Sequence, residues 1–158
     1  MKIALQPSPV QEIRDDLLIK KNIRLFIKRD DLLHAQISGN KIRKLKYNLL
    51  QAHSEGHHTL LTFGGAYSNH IYAVAAAGEI YGFKTIGVIR GEPYSDLNPT
   101  LEFAISKGMH LHYISRGKYK NKYTAGSVSE LKDMFGKFYM IPEGGTNSLA
   151  LKGCTEII

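Results

Sequence analysis

From residue 56 onward, four short apolar runs alternate with stretches of helical period, and few folds accommodate that alternation. "TLLTF" (59–63), "KTIGVIR" (84–90), "MHLHYIS" (109–115) and "KFYMIP" (137–142) each read as a strand. Between them lie three helical stretches. "SNHIYAVAAAGEIYG" (68–82) is rich in small residues, and "NPTLEFAISKG" (98–108) opens with Asn98 as N-cap and Pro99 as first helical residue. "SVSELKDMFG" (127–136) sets Ser127 and Glu130 at capping-box spacing. Strands separated by helices are βαβ units, so the expected fold class is α/β, with an open, doubly wound parallel sheet of four strands.

The two ends fit that unit less well. In "IRLFIK" (23–28) Ile23, Leu25 and Ile27 alternate to one face, which predicts a half-buried strand. A helix is expected from Lys41 to about Glu55, with Ile42, Leu45, Leu49 and Ala52 on one stripe and Gly56 ending it. We therefore expect residues 1–47 to be a piece of a different, larger α/β domain, and 48–158 to form a small α/β domain. "TNSLALKGCTEII" (146–158) begins as a helix and stops without a C-cap, so the chain is expected to be the first portion of a longer polypeptide.

Composition narrows the function. With 43% apolar and 22% charged residues in 158, this is a globular chain, not a disordered one. The first twenty residues interleave Lys2, Glu12, Arg14, Asp15 and Asp16 with apolar ones, leaving no secretory h-region. A cytoplasmic protein that does not enter the membrane is expected. Cys154 stands alone, so it has no disulfide partner and no companion for a zinc or CxxC site; it reads as a buried small apolar residue, and no metal site is expected. The net charge of +7 raises nucleic acid as a partner. The basic runs "KKNIRLFIKR" and "NKIRKLKYN" carry no zinc-finger, RNP or basic-zipper signature, so nucleic acid is not the expected partner. A basic pocket for an anionic cofactor uses the same charges.

Open parallel sheets bind ligands beyond the carboxyl ends of their strands, where turns run into helix N-termini. Two glycine turns, "GGAYSN" (64–69) and "GGTNS" (144–148), stand in such places. In "FGGAYSNH" (63–70) the amides of Ser68, Asn69 and His70 are expected to point toward an anion. The stretch is neither a Walker A loop nor GxGxxG, and it reads equally as an ordinary tight turn with Ser68 as N-cap. Lys41, Lys44 and Asn48 share a helical face beside the apolar stripe and are expected to border a cleft floor. That pattern also suits a solvated lysine face.

Taken together, "RDDLL" (29–33), "SGNKIRKLKYN" (38–48), "FGGAYSNH" (63–70) and "IPEGGTNSLALKG" (141–153), in this order and spacing, resemble the pyridoxal-phosphate enzymes of the 1-aminocyclopropane-1-carboxylate deaminase and D-cysteine desulfhydrase family. The resemblance runs over essentially the whole chain and covers about the amino-terminal half of such a fold type II enzyme. It implies pyridoxal 5'-phosphate as cofactor, a small amino acid as substrate and a homodimer for the full-length enzyme. The implied reaction is deamination, with D-cysteine giving pyruvate, sulfide and ammonia favoured over ring opening of 1-aminocyclopropane-1-carboxylate.

By position, Lys41 matches the family's Schiff-base lysine, which once released shuttles protons. Lys44 matches a lysine that pairs with the cofactor phosphate, and Asn69 the donor to the ring's phenolic oxygen. Ser68, Asn69 and His70 match the group that receives the substrate carboxylate, Ser68 being also a proton-transfer group. Gly144 and Gly145 match the second turn lining the substrate pocket. A lysine must be neutral to attack an aldehyde, and burial together with the charges of Arg43 and Lys44 is expected to lower the pKa of Lys41. Tyr67 stands where many relatives have glutamine, and Tyr72 where several have arginine. The phosphate cup and the group facing the pyridine nitrogen belong to the other half, so the chain alone is expected to be catalytically incomplete. A non-catalytic anion-binding module remains the alternative reading of these residues.

Overall fold

The computed structural model describes residues 1, 3, 5, 7–93 and 95–157. The chain opens with β1 (Val10–Ile13), α1 (Asp16–Lys20) and β2 (Leu25–Lys28), the two strands pairing antiparallel. The half-buried strand expected at 23–28 is corrected here. Ile23, Leu25 and Ile27 are 54%, 45% and 44% exposed. A two-stranded ribbon has no second layer against which to bury a face, and among the described residues nothing covers this one.

A 3-10 turn (Asp30–Leu32) leads to α2 (Asn40–Ser54), where Ile42, Leu45, Leu49 and Ala52 are buried along the expected stripe. This helix runs unbroken across residues 47 and 48, and its stripe joins the same core cluster as Leu60 and Ala73. α2 thus spans the boundary expected at 47/48.

The rest follows the βαβ plan. β3 (Thr59–Gly64), α3 (Asn69–Tyr81), β4 (Lys84–Arg90), α4 (Pro99–Ser106), β5 (Met109–Ile114), α5 (Arg116–Lys120), α6 (Ala125–Phe135), β6 (Tyr139–Ile141) and α7 (Ser148–Cys154) complete it. The four strands are parallel in the order β5-β4-β3-β6. Leu60 of β3 faces one layer, with Leu49, Val74 and Leu101; Leu61 and Phe63 face the other, with Tyr119, Leu131 and Phe138. Both faces of the sheet are covered, which is the doubly wound arrangement expected from the strand alternation.

Three local expectations change. α5 has no counterpart in the apolar pattern, because a five-residue helix is too short to show a period. α6 starts earlier than the capping box at Ser127 and Glu130 implies. Thr124 caps it by accepting the Ser127 amide at 3.3 Å, so an equally good cap three residues upstream takes the helix start. Cys154 is only partly buried, because α7 turns Ala150 and Gly153, not Cys154, to the interior.

The last described residues return to α2. Glu156 holds Lys46 at 2.7 Å, and its carbonyl accepts from Arg43 at 2.9 Å. α7 crosses α2 so closely that a Cβ on Gly153 would lie 1.9 Å from the Arg43 carbonyl oxygen. Backbone cannot yield as a side chain does, so Gly153→Ala is expected to cost about 3 kcal/mol or more, read as a lowered denaturation midpoint. Among the described residues no helix is long and apolar enough to cross a membrane, and no group of three or more His, Cys, Asp or Glu could hold a metal ion.

Candidate active site

The sheet order sets the location. β6 returns to the far side of β3 from β4, so the strand order reverses between β3 and β6, and the two glycine turns follow those neighbouring strands. At this carboxyl edge the starts of α2, α3 and α4 enclose a cavity of about 560 Å³. Its lining includes Lys41, Asn69, Tyr72 and Thr100, together with Gln36 and Ser38 from the approach to α2. That volume lies within the ordinary range for small-molecule sites.

Gly39 places Lys41 there. It precedes α2 with φ at 62°, a left-handed turn that glycine adopts without strain, and Asn40 and Lys41 then begin the helix at the cavity wall. The Lys41 amine donates to Asn40 Oδ1 at 3.2 Å. Burial, and after it the charge of Lys44, pushes the Lys41 pKa below the ordinary lysine value. Arg43 is not among the causes, which corrects the expectation. It is buried behind the helix in an ion pair with Asp30, with contacts of 2.5 and 2.9 Å.

Lys44 and Asn48 do not join Lys41 at the cavity. The Lys44 amine turns to the second glycine turn, 3.4 Å from the Gly144 carbonyl and 3.4 Å from Thr146 Oγ1. Asn48 is fully buried. Its amide donates to the Lys44 carbonyl at 2.8 Å, and its oxygen accepts from Asn147 at 2.8 Å. Asn147 caps α7, so Asn48 clamps α2 to α7 instead of bordering a cleft floor. Gly144 and Gly145 likewise lie beside Lys44 and His70, outside the cavity lining.

The first turn is more selective than its sequence suggests. The Ser68 amide donates to the Gly65 carbonyl at 3.1 Å, and the His70 amide to Ser68 Oγ at 3.2 Å. Of the three amides expected to face an anion, only that of Asn69 has no partner among the described residues, and Asn69 lines the cavity. Ser68 Oγ accepts from His70 and Ile71, so its own hydrogen remains available as a donor.

The His70 side chain is corrected most sharply. It is 2% exposed, with Nε2 2.9 Å from Thr62 Oγ1. The Thr62 hydroxyl gives its hydrogen to the Ile141 carbonyl at 2.9 Å, so Nε2 must be the donor in the histidine pair. Nδ1 is buried and makes no short hydrogen bond among the described residues, and the interaction of the ring with the Pro142 backbone only partly offsets its burial. Burial first, then the Lys41 and Lys44 charges, lower the His70 pKa to about 3 and keep the ring neutral. A buried neutral acceptor cannot receive a carboxylate. Its ring packs against the Gly145 turn, where a side chain would begin 3.1 Å from His70 Cε1.

Tyr72 lines the cavity and stacks on Phe103 with centroids 3.6 Å apart and rings 9° from parallel, whereas Tyr67 is exposed. Thr100 and Pro99 are cavity residues that sequence reasoning passed over. The signal was present, since Asn98 and Pro99 marked a helix start at this edge, but nothing local says that this start faces α2.

Over 154 residues the chain is 38% identical to a Thermotoga maritima protein named for 1-aminocyclopropane-1-carboxylate deaminase activity, a match covering 96% of this chain and 48% of that protein. It is 33% identical over 141 residues to a mitochondrial Arabidopsis thaliana protein named bifunctional D-cysteine desulfhydrase/1-aminocyclopropane-1-carboxylate deaminase, covering 84% of this chain and 35% of that protein. The crystal structure of an ACC deaminase homologue superposes on 96% of the chain and 46% of its own length, with a TM-score of 0.79 and 30% sequence identity. The chain belongs to this 1-aminocyclopropane-1-carboxylate deaminase and D-cysteine desulfhydrase family. It spans about half the length of the curated relatives it matches. No family model matches it.

The family's enzymes use pyridoxal phosphate, and the donor set of this chain fits that group. The cavity offers a primary amine biased toward its neutral form, the Asn69 amide at a helix start, and a Thr100 hydroxyl. An aldehyde with anionic oxygens calls for such groups.

Proposed function

We propose that this chain supplies the amine-bearing half of a pyridoxal-phosphate-dependent deaminase or lyase acting on a small amino acid, with D-cysteine as the favoured substrate. The observation that carries the reading is that Lys41 and Asn69 line one cavity while Lys41 is held toward its neutral form. When bound, pyridoxal phosphate supplies the electron sink that weakens bonds at the substrate α-carbon.

The chain's own residues supply attachment, orientation and proton transfer. The Lys41 amine, its pKa lowered by burial and then by the Lys44 charge, would hold the cofactor and, once released, move a proton at the α-carbon. The Asn69 side chain would donate to the cofactor's phenolic oxygen, and its backbone amide, with the Ser68 hydroxyl, would receive the substrate carboxylate. Lys44, held at the second glycine turn, acts on Lys41 through its charge. His70 keeps that turn in place.

Full-length protein loaded with cofactor is expected to release sulfide and ammonia from D-cysteine, and to do so faster than it opens 1-aminocyclopropane-1-carboxylate. Ring opening without sulfide release would exchange the two substrates, and activity on neither would remove the reading. A second expectation concerns pH. Lys44→Gln removes the charge that helps depress Lys41, so the Lys41 pKa rises and the pH profile of cofactor capture shifts to higher pH. An unshifted profile in stopped-flow loading experiments would assign the whole depression to burial.

A further inference from the structure

A second cavity lies at the same carboxyl edge on the opposite layer of the sheet. It measures about 400 Å³ and is lined by Arg90, Arg116, Tyr119, Lys120, Lys122 and Glu143, sharing none of these with the Lys41 cavity. Arg90 ends β4, Arg116 and Lys120 sit on α5, and Glu143 follows β6, so three segments bring their charges to one place.

Four cations face a single carboxylate there. Lys122, nearly buried, takes that carboxylate, with its ammonium 3.1 Å from Glu143 Oε2 and 4.2 Å from the centre of the Tyr119 ring. Arg90, Arg116 and Lys120 pair with no carboxylate among the described residues. Like charges gathered without a counterion repel one another, and an added anion relieves them.

Tyr119 adds an independent sign. It is 3% exposed, and its hydroxyl is buried with no hydrogen-bond partner among the described residues. Burial, and after it a long hydrogen-bonding interaction with the Glu143 carboxylate, raise its pKa, so the hydroxyl stays protonated and is a donor placed beside that carboxylate. Glu143 is itself 43% exposed at its side chain and can swing outward. Its carboxylate marks where a negative oxygen fits.

We infer that this cavity binds a small phosphorylated molecule, whose phosphate displaces the Glu143 carboxylate and meets Lys122, the Tyr119 hydroxyl and the guanidinium groups of Arg90 and Arg116. Displacement frees Lys122, so the group receiving the phosphate carries more charge than a monovalent carboxylate can match. The guanidinium fork suits several phosphate oxygens at once.

The test is titration calorimetry on full-length protein already saturated with pyridoxal phosphate, with inorganic phosphate as the probe and acetate beside it. Saturable phosphate binding is expected, with acetate much weaker. Arg116→Gln, at an exposed position where folding is not at stake, should weaken phosphate by about tenfold or more. Glu143→Gln should tighten it, because the resident competitor is gone. Tyr119→Phe should weaken binding while leaving the melting temperature without phosphate nearly unchanged, since the hydroxyl makes no short hydrogen bond among the described residues. Absence of saturable binding, acetate binding as well as phosphate, indifference to Arg116→Gln or Tyr119→Phe, or weaker binding in Glu143→Gln would each overturn the inference. None of these outcomes bears on Lys41.

Discussion

Asp30→Asn is expected to destabilise the protein by about 3–5 kcal/mol, because it leaves the buried Arg43 guanidinium without its counter-charge. Asp30 is 7% exposed and Arg43 4%. Their carboxylate and guanidinium meet through two contacts, at 2.5 and 2.9 Å, and the Ser8 hydroxyl donates to the same carboxylate at 2.6 Å. Arg43 also holds the Glu156 carbonyl, so one buried network ties the segment before α2, the helix itself and the last described turn. Asparagine keeps the size and loses the charge. Replacing both partners, as Asp30→Leu with Arg43→Met, should cost much less than Asp30→Asn alone, because no charge is then left buried.

The same pair makes a pH prediction with a definite sign. The Arg43 hydrogen bond, aided by Ser8, holds the Asp30 carboxyl below the usual carboxylate range. A group whose pKa is lower folded than unfolded contributes stability above its unfolded pKa, and that contribution fades as pH falls through its folded pKa. The difference between native protein and Asp30→Asn, measured as urea midpoints, should therefore be full at neutral pH and shrink in acid. A constant difference across that range would contradict the ion pair.

Lys41→Ala carries the largest functional effect, a loss of about 10³-fold or more in turnover. Under the proposed function it removes both the amine that would hold the cofactor and the base that would move the proton. Stability should hardly change, since Lys41 is only partly buried and, among the described residues, its side chain hydrogen-bonds only its neighbour Asn40. Unchanged unfolding midpoints together with lost turnover separate a role in chemistry from a role in folding.

The sequence made the sheet legible because its central strands, β3 and β4, are buried on both faces and the longer helices carry an apolar face. Leu45 and Leu49 on α2, and Leu60 to Phe63 on β3, lie where periodicity placed them. Periodicity says nothing about exposure at an edge with no partner layer, so β2 was misjudged, and it has no purchase on a five-residue helix such as α5. In the site, motif order pointed to Lys41 and Asn69, and both line one cavity. His70 and Asn48 were not, because what each does depends on partners 71 and 99 residues away in sequence, the Ile141 carbonyl through Thr62 for one and Asn147 for the other. A residue type on a helical face names its chemistry only once its partner is known.

The most direct measurement is borohydride reduction of the full-length protein loaded with pyridoxal phosphate, followed by peptide mapping by mass. The cofactor mass is expected on the peptide bearing Lys41, and absent from that peptide in Lys41→Ala. Labelling of Lys44 or another lysine, with Lys41 unmodified, would contradict the account.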